Sequence, residues 1–438
     1  MINLMVNLWR SVKFCLALYK GNTNQAEKIL RQIEKSGVKL TGIEKLFRDK
    51  LQTENNFRTY RQQSAAQYRQ LSEFRQKLED LEINSSQFST SLLSSIPEFI
   101  ESLSKDFKLI EHDANMLQCT GIDRSIFDEF EAKLADFIKD EFNRLSEKKN
   151  FSLLLEDAIE DINLLKTGQD PQYKFELSPH VYLMRYFLDN VYCAYLAWFL
   201  IYKVGLLPTK INILDIAAGS GTIAYGLALL LQSISSYLPL DPLHICYYSL
   251  EQQKHFQYRG LQFWRSYIEQ QKTATNAYFR FDTSNIFDYN SEAGKIPPKF
   301  FDFIVICHCF FYDPETRSKS QSIYQQIFTN NLKKDGYVLL IIQDKKLFKA
   351  YSVLTSEAPK QEEIVVKKFV ADLGLNLVWY KYLSSTDSRQ PIANFGQFAR
   401  ENLACQKFMS PLLRHYFKFN FDSNYTLDDY VILAQCAN

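Results

Sequence analysis

The sequence is poor in the residues and runs that mark several protein classes. Its 438 residues include only 14 glycines and 12 prolines, which excludes a collagen-like or Gly/Pro-rich fibre. The 51 lysines and arginines nearly balance the 50 aspartates and glutamates, so the overall charge does not favour a protein that coats nucleic acid. No apolar run approaches the ~20 residues that a membrane-spanning helix needs. The most apolar helical run, residues 191–202, ends at Lys203 and predicts a buried helix.

Signals of secretion and of disulfide bonds are also missing. Charged residues interrupt the apolar positions of residues 1–20, a pattern that predicts an amphipathic helix and not a signal peptide. The eight cysteines form no CxxC pair, and Cys307-His308-Cys309 is their one cluster. Neighbouring side chains of a strand point to opposite faces, so this trio does not make a metal site by itself. We expect reduced thiols, no metal and a cytoplasmic protein.

The first 170 residues are predicted to form an all-helical domain. Helical periodicity is clearest over residues 22–37, 52–81, 127–149 and 151–165. A serine cap before Pro97 predicts one more helix start. Residues 1–80 carry a net charge of +7 and residues 81–178 a net charge of −10. The basic arm suits RNA, anionic lipid or the acidic segment beside it, although solvated faces that neutralise one another are the simpler explanation.

Residues 171–438 are predicted to form a second, α/β domain. The sequence Thr167-Gly168-Gln169-Asp170-Pro171 is the clearest break in the chain. After it, β-rich runs alternate with helix-length segments, which is typical of a parallel sheet covered on both faces. The seven predicted strands are residues 211–216, 244–250, 278–282, 301–306, 337–342, 375–383 and 429–436.

A glycine-containing turn follows the first of these strands. The sequence runs Leu214-Asp215-Ile216-Ala217-Ala218-Gly219-Ser220-Gly221 and then enters a helix. Glycines let a backbone approach a ligand closely, and a doubly wound sheet binds ligands at such strand ends. The glycines alone also fit a dinucleotide-binding turn. Asp215 favours a cationic ligand instead, because a carboxylate there would oppose a pyrophosphate.

This turn resembles the first motif of class I S-adenosylmethionine-dependent methyltransferases, and the likeness continues in order over residues 180–438. The resemblance implies a seven-stranded, doubly wound, Rossmann-like sheet. It also implies S-adenosylmethionine as cofactor, with Glu251 on the ribose hydroxyls and Asp282 on the adenine amino group. Ala217 stands where the family often has glycine. The cofactor-binding residues implied in this way are Asp215, Ala217, Gly219, Gly221, Glu251, Asp282 and Thr283.

Methyl transfer to an O–H or N–H acceptor needs alignment and a group that removes a proton. The loop after the fourth strand offers His308 as a base, because its ordinary pKa lies near neutrality. Tyr312 and Asp313 are further candidates. Asn-Pro-Pro-Tyr and Asp-Pro-Pro-Tyr, the usual motifs for methylating nucleobase amines, do not follow that strand.

Three functions remain open from the sequence. The first is a methyltransferase acting on a small molecule or a protein, with the helical half as a lid, a docking module or a homodimer surface. The second is a non-catalytic scaffold that retains the fold. The third is an RNA or ribosome-assembly methyltransferase that uses the basic residues 1–80.

Overall fold

The chain divides into two compact units, Met1–Ser89 and Thr90–Asn438. The predicted boundary between residues 170 and 171 lies inside the second unit. The predicted helix over residues 52–81 lies outside the described part of the chain. The structure, a computed structural model, describes residues 2–20, 22–36, 41, 43–45, 47, 92–147, 150–167, 169–237, 243–271, 275–291, 294–354 and 358–437.

The described residues of the first unit include two amphipathic helices, α1 (Ile2–Tyr19) and α2 (Thr23–Lys35). The side chain of Asn22 caps α2 by accepting a hydrogen bond from the Gln25 backbone N–H at 3.1 Å, which satisfies one of the free donors of a helix start. Apolar residues of both helices pack into one small core. The helices predicted over residues 1–20 and 22–37 are confirmed.

The second unit is built on one sheet. Its strands are β1 (Ile110–Glu111), β2 (Met116–Gln118), β3 (Lys210–Ile216), β4 (Leu243–Leu250), β5 (Thr275–Asp282), β6 (Phe301–Cys307), β7 (Leu332–Gln343), β8 (Leu375–Ser384) and β9 (Asp428–Cys436). Every strand predicted from the sequence is present. Their order in the sheet is β1-β2-β8-β9-β7-β6-β3-β4-β5.

Helices cover this sheet. They are α3 (Pro97–Asp106), α4 (Arg124–Leu145), α5 (Phe151–Asn163), α6 (Ser178–Tyr182), α7 (Leu188–Lys203), α8 (Thr222–Tyr237), α9 (Lys254–Tyr267), α10 (Pro314–Asn331), α11 (Asp344–Ala350), α12 (Pro359–Asp372), α13 (Phe395–Asn402) and α14 (Met409–Phe417). A π-helical turn, Leu183–Phe187, joins α6 to α7. The predicted buried helix over residues 191–202 is confirmed as most of α7.

The strand order confirms a doubly wound architecture. Strands β5, β4, β3, β6 and β7 are parallel, and β9 enters antiparallel between β7 and β8. Side chains of β3 alternate between two cores: Ile213 packs with α7 and α8, and Leu214 packs with α10 and α12. A strand that is buried on both faces is characteristic of a parallel sheet between two helical layers.

Three sequence predictions need correction. In the described part of the chain the sheet has nine strands and not seven, because β1 and β2 join the edge of β8. The region before residue 170 is therefore not all-helical. Strands of two and three residues are too short to produce a detectable alternation of polar and apolar residues. The predicted serine cap of α3 is also wrong: Ile96 occupies the cap without a side-chain hydrogen bond, and Pro97 begins the helix as predicted.

All eight cysteines are free thiols, as predicted. Within the described residues, every helix is too short or too polar to cross a membrane.

Candidate functional site

The turn after β3 has an unusual backbone. Ala217, Gly219 and Gly221 all have positive φ angles, of 56°, 55° and 83°. A Cβ added at either glycine would have no neighbour within 4 Å, so the protein leaves open space there. These glycines are needed for their left-handed conformation and not because protein atoms crowd them. Ala217 adopts the same conformation with a side chain, which costs about 1–2 kcal/mol.

Glu251 ties this turn to the end of β4. Its Oε2 accepts a hydrogen bond from the Gly219 backbone N–H at 2.9 Å, and its Oε1 accepts one from the Gln253 N–H at 2.7 Å. Burial raises the pKa of Glu251, and these backbone donors oppose that shift. Each carboxylate oxygen has two lone pairs. Glu251 therefore retains acceptor capacity for a ligand hydroxyl while it holds the turn.

Asp215 lies buried at the end of β3. Its Oδ2 accepts a hydrogen bond from the Tyr247 hydroxyl, and its Oδ1 has no hydrogen-bond partner among the described residues. Burial raises the pKa of Asp215 to about 7, and the nearby charge of Glu251 adds to the effect. A buried carboxylate oxygen without a donor is costly, and a nearby cation would offset that cost.

A cavity of about 610 Å³ opens at the carboxyl ends of the central strands. This volume lies in the range of small-molecule sites. Its walls combine the turn after β3, the end of β4, the loop after β6, the start of α11 and the segment that precedes α7. They include Asp170, Tyr173, Tyr182, Tyr186, Asn190, Ala217, Gly219, Glu251, Asn285, Ile286, Phe287, His308, Tyr312, Lys345, Lys346, Lys349 and Asp428.

The structure brings five of the predicted site residues to this cavity: Ala217, Gly219, Glu251, His308 and Tyr312. Asp215, Gly221, Asp282, Thr283 and Asp313 are not among the residues that line it.

Asp282 and Thr283 have partners within the protein. Asp282 accepts hydrogen bonds from the hydroxyls of Ser284 and Tyr248. The Thr283 hydroxyl lies 2.8 Å from Gln257 Oε1 and donates to it. Ile286 and Phe287, a few residues further on, line the cavity and give it an apolar slot.

His308 is held in a left-handed conformation, with φ 59°, directly after β6. Its two ring nitrogens have no hydrogen-bond partner in the described part of the chain, and Nδ1 lies 3.7 Å from Asp429 Oδ1. Burial, with a smaller effect of the Lys346 charge, lowers the pKa of His308 to about 4. The imidazole is therefore neutral near pH 7 and has a lone pair available to accept a proton.

Tyr312 and Asp313 differ in their surroundings although they are adjacent. Tyr312 lines the cavity, and its backbone N–H donates to Asp170 Oδ2 at 3.2 Å. Asp313 is exposed and caps α10: its Oδ2 accepts hydrogen bonds from the N–H and the hydroxyl of Thr316 at 2.8 and 2.7 Å. Asp313 therefore has a structural explanation that the sequence did not suggest.

Sequence reasoning missed the wall formed by the segment before α7. Tyr173, Tyr182 and Tyr186 line the cavity, and Asn190 donates a hydrogen bond to the Tyr182 hydroxyl at 2.8 Å. The backbone N–H groups of residues 172 and 173 bind Asp161, which fixes this segment to α5. The start of this segment, near residue 171, was predicted from the sequence only as a boundary between domains. The presence of three tyrosines, two phenylalanines and one histidine within residues 173–187 was the one available signal.

No protein-family model matches the sequence, and no curated protein matches it. Solved structures that resemble it are S-adenosylmethionine-dependent methyltransferases, as the sequence resemblance predicts. One from Methanosarcina mazei is 17% identical, covers 52% of this chain and 94% of its own, and has a TM-score of 0.30. A 16S rRNA (adenine(1408)-N(1))-methyltransferase from Catenulisporales acidiphilia is 8% identical over 52% of this chain and 88% of its own, with a TM-score of 0.29. At these values the likeness concerns the fold alone.

Proposed function

We propose that this chain is an S-adenosylmethionine-dependent methyltransferase that acts on an oxygen or nitrogen atom. The observation that carries the proposal is the cavity at the strand ends, where Gly219 leaves open space and Glu251 holds the turn. A neutral imidazole, His308, lines the same cavity.

The residues present fit the cofactor. Glu251 has acceptor capacity for the two ribose hydroxyls, and such charge-assisted hydrogen bonds are stronger than neutral ones. Ile286 and Phe287 provide an apolar slot for adenine. The unpartnered Oδ1 of Asp215 supplies negative charge close behind the turn. When bound, S-adenosylmethionine supplies an electrophilic methyl group, and its sulfur leaves as a neutral thioether.

The chain's own part in the reaction is alignment and proton removal. The aromatic walls orient the acceptor, and the ring nitrogen of His308 that carries no hydrogen accepts the proton that the acceptor loses. Tyr312 contributes to the acceptor wall of the same cavity. Asp313 has no part in this proposal because it is exposed and caps α10.

Calorimetric titration of the full chain with S-adenosylmethionine and with NAD⁺ tests the proposal. We expect binding of the first and not of the second. Glu251→Gln should weaken binding by roughly 1–3 kcal/mol, because a hydrogen bond to a charged acceptor is lost. Asp282→Asn is the matched control, since Asp282 ends β5, the strand next to β4, but does not line the cavity.

The outcomes separate the functions that the sequence leaves open. Absence of S-adenosylmethionine binding would overturn the proposal and favour the scaffold. Binding of NAD⁺ would favour a dinucleotide site. Binding of the cofactor, with methyl transfer only to RNA, would retain the enzyme but place it in the RNA-modifying class.

A further inference from the structure

Three lysines of one short helix line the cavity. They are Lys345, Lys346 and Lys349 of α11, which follows β7. Lys345 lies near the carboxylates of Asp344 and Asp428; burial raises the pKa of both carboxyl groups, and the charge of Lys345 opposes that rise. Lys346 and Lys349 lie against the ring of Tyr312 instead.

Lys346 is buried and has one ion-pair partner in the described part of the chain, Asp170. It is only 8% exposed, and the nearest carboxylate oxygen, Asp170 Oδ1, lies 3.8 Å from its ammonium nitrogen. Among the described residues this ammonium donates no hydrogen bond. Burial lowers the pKa of Lys346, and the charge of Asp170 opposes that shift. Lysine is rarely buried to this extent unless it is paired, and Asp170 at 3.8 Å supplies an opposite charge but no hydrogen-bond acceptor for these donors.

Lys349 brings a second positive charge to the same place. The ammonium nitrogens of Lys346 and Lys349 lie 4.4 and 4.8 Å from the centroid of the Tyr312 ring. Two cations on one aromatic ring repel each other, and the single carboxylate of Asp170, 3.8 Å from the Lys346 nitrogen, balances one of the two charges. Within the described residues Lys349 has no ion-pair partner. The two ammonium groups therefore form the side of a site for an anionic group.

Aromatic side chains form another part of the cavity wall. Tyr173 and Tyr182 contact Phe256 edge-on, with ring centroids 5.5 Å apart in both pairs. Tyr182 and Tyr186 also pack against each other, at 6.1 Å. All four rings line the cavity. Aromatic walls favour a flat ring as their ligand, because ring pairs gain energy beyond their buried area.

We propose that the methyl acceptor is a small aromatic compound that carries a carboxylate or a phosphate group. Its anionic oxygens bind Lys346 and Lys349, its ring packs against the tyrosines, and its hydroxyl or amine lies towards His308. This inference rests on the proposed function, since it names the substrate class of the same site. A cationic methyl donor adds positive charge to the cavity, and an anionic acceptor neutralises it.

Lys346 also links binding of the acceptor to the proton affinity of His308. The charge of Lys346 contributes to the low pKa of His308. An anion beside Lys346 reduces that effect and makes the imidazole a stronger proton acceptor. The site therefore accepts the proton most readily when the acceptor's anionic group is in place.

Ligand titrations of the full chain, saturated with S-adenosylhomocysteine, test this inference. Two of the ligands, benzoate and phenyl phosphate, are anionic. The third, benzamide, has the shape of benzoate but is neutral and serves as the control. We expect the preferred anion to bind about tenfold more tightly than benzamide, as one charge-assisted interaction provides. Comparison of the affinities for benzoate and phenyl phosphate shows whether the site binds a carboxylate or a phosphate.

Variants locate the anion site. Lys346→Met keeps the length of the side chain and should abolish the preference for the anion, whereas Lys346→Arg should retain it. Lys349→Met should reduce the preference for the anion. Because Lys349 is exposed, this variant can be tested even if Lys346→Met does not fold. Lys360→Met, an exposed lysine of α12 outside the cavity, should change nothing.

Two results would overturn the inference. One is equal binding of all three ligands by a protein that binds S-adenosylhomocysteine, which would leave the proposed function intact. The other is a preference for anions that persists in both methionine variants. Absence of S-adenosylhomocysteine binding, with anion binding that depends on Lys346, would instead reject the proposed function and keep an anion site.

Discussion

At the scale of single residues, the site depends on two non-glycine positions with left-handed backbones. Ala217 and His308 both have positive φ angles, and both line the cavity. Strained backbone of this kind persists only where the surrounding structure holds it in place. At each position a substitution can test one property alone: the strain of the backbone at Ala217, and the imidazole side chain at His308.

Replacing Ala217 with glycine should stabilise the protein. The left-handed conformation costs an alanine about 1–2 kcal/mol, which glycine avoids. Glycine is also more flexible in the unfolded chain, and this reduces the gain in stability by roughly 0.5–1 kcal/mol. We expect a net increase of up to about 1 kcal/mol in the free energy of unfolding, measured by denaturant titration. Ala218→Gly is the control, because Ala218 is buried and does not have a positive φ. It should destabilise, and a gain there as large as at Ala217 would contradict the strain argument.

His308→Asn tests the proposed base without adding strain, since asparagine tolerates positive φ better than most residues. Methyl transfer should fall by about 10²–10⁴-fold if the imidazole removes the proton, while cofactor affinity stays unchanged. Single-turnover rates and calorimetry measure the two effects. A rate equal to that of the unchanged protein would remove His308 from this role.

The pH dependence of stability gives an independent check on His308. Its pKa is about 4 in the folded chain, below its ordinary value of 6.5. Between these values the unfolded chain binds more protons, so the contribution of His308 is fully present above pH 6.5 and is lost as the pH falls towards 4. His308→Asn should show a shallower loss of stability over this interval.

Asp215 should affect the pH dependence of stability in the opposite direction. Its pKa is about 7 in the folded chain and 3.8 in its ordinary state. Its contribution to stability is fully present below pH 3.8 and is lost as the pH rises through 7. A cationic ligand favours the ionised form, so we expect S-adenosylmethionine to bind more tightly as the pH rises through 7, with release of a proton. Titration in buffers of different ionisation enthalpy measures that proton, and Asp215→Asn should eliminate it.

At the scale of elements, the turn after β3 is positioned by a helix, α9, that approaches it very closely. A Cβ on Gly260 of α9 would lie 2.2 Å from the Ser220 carbonyl oxygen, in the middle of the turn. A Cβ on Gly226 of α8 would lie 2.7 Å from Ala194 of α7, away from the turn. Both glycines allow close packing, but only Gly260 sets the position of the turn.

Alanine at these two glycines should therefore have different consequences. Either change should cost about 1–3 kcal/mol of stability through overpacking. Gly260→Ala should also weaken cofactor binding, because it displaces Ser220 and the N–H of Gly219. Gly226→Ala should leave the affinity of the folded protein unchanged. Denaturant titration and calorimetry on both variants compare the effects, and equal affinities would show that the turn does not depend on α9.

At the scale of the whole molecule, residues 90–170 belong to the core of the second unit. Phe127 and Phe130 of α4 are completely buried among residues of α7, α8 and α9. Glu131 of α4 accepts hydrogen bonds from the backbone N–H groups of residues 408 and 409, and from the Tyr425 hydroxyl. These contacts connect α4 to the last part of the chain.

Two truncations test this organisation. A chain that starts at residue 90 should remain folded and keep its affinity for S-adenosylmethionine. A chain that starts at residue 171 loses α4, β1 and β2, exposes the large apolar surface that α4 covers, and should aggregate or unfold. Circular dichroism, thermal unfolding and cofactor titration measure the difference. A stable chain 171–438 would support the boundary that the sequence predicted.

The sequence by itself determined the elements whose signals are local. The strands from β3 to β9 and the turn at Gly219 follow from β-rich runs and from glycines at a strand end. The two-sided sheet follows from alternation of strands and helices. Only the tertiary structure decided what lines the cavity, because its walls come from segments far apart in the chain. Asp282 and Asp313 find partners within the protein, whereas Tyr182 and Lys346 reach the site through packing. Such convergence depends on how helices pack on the sheet, and no single stretch of sequence records it.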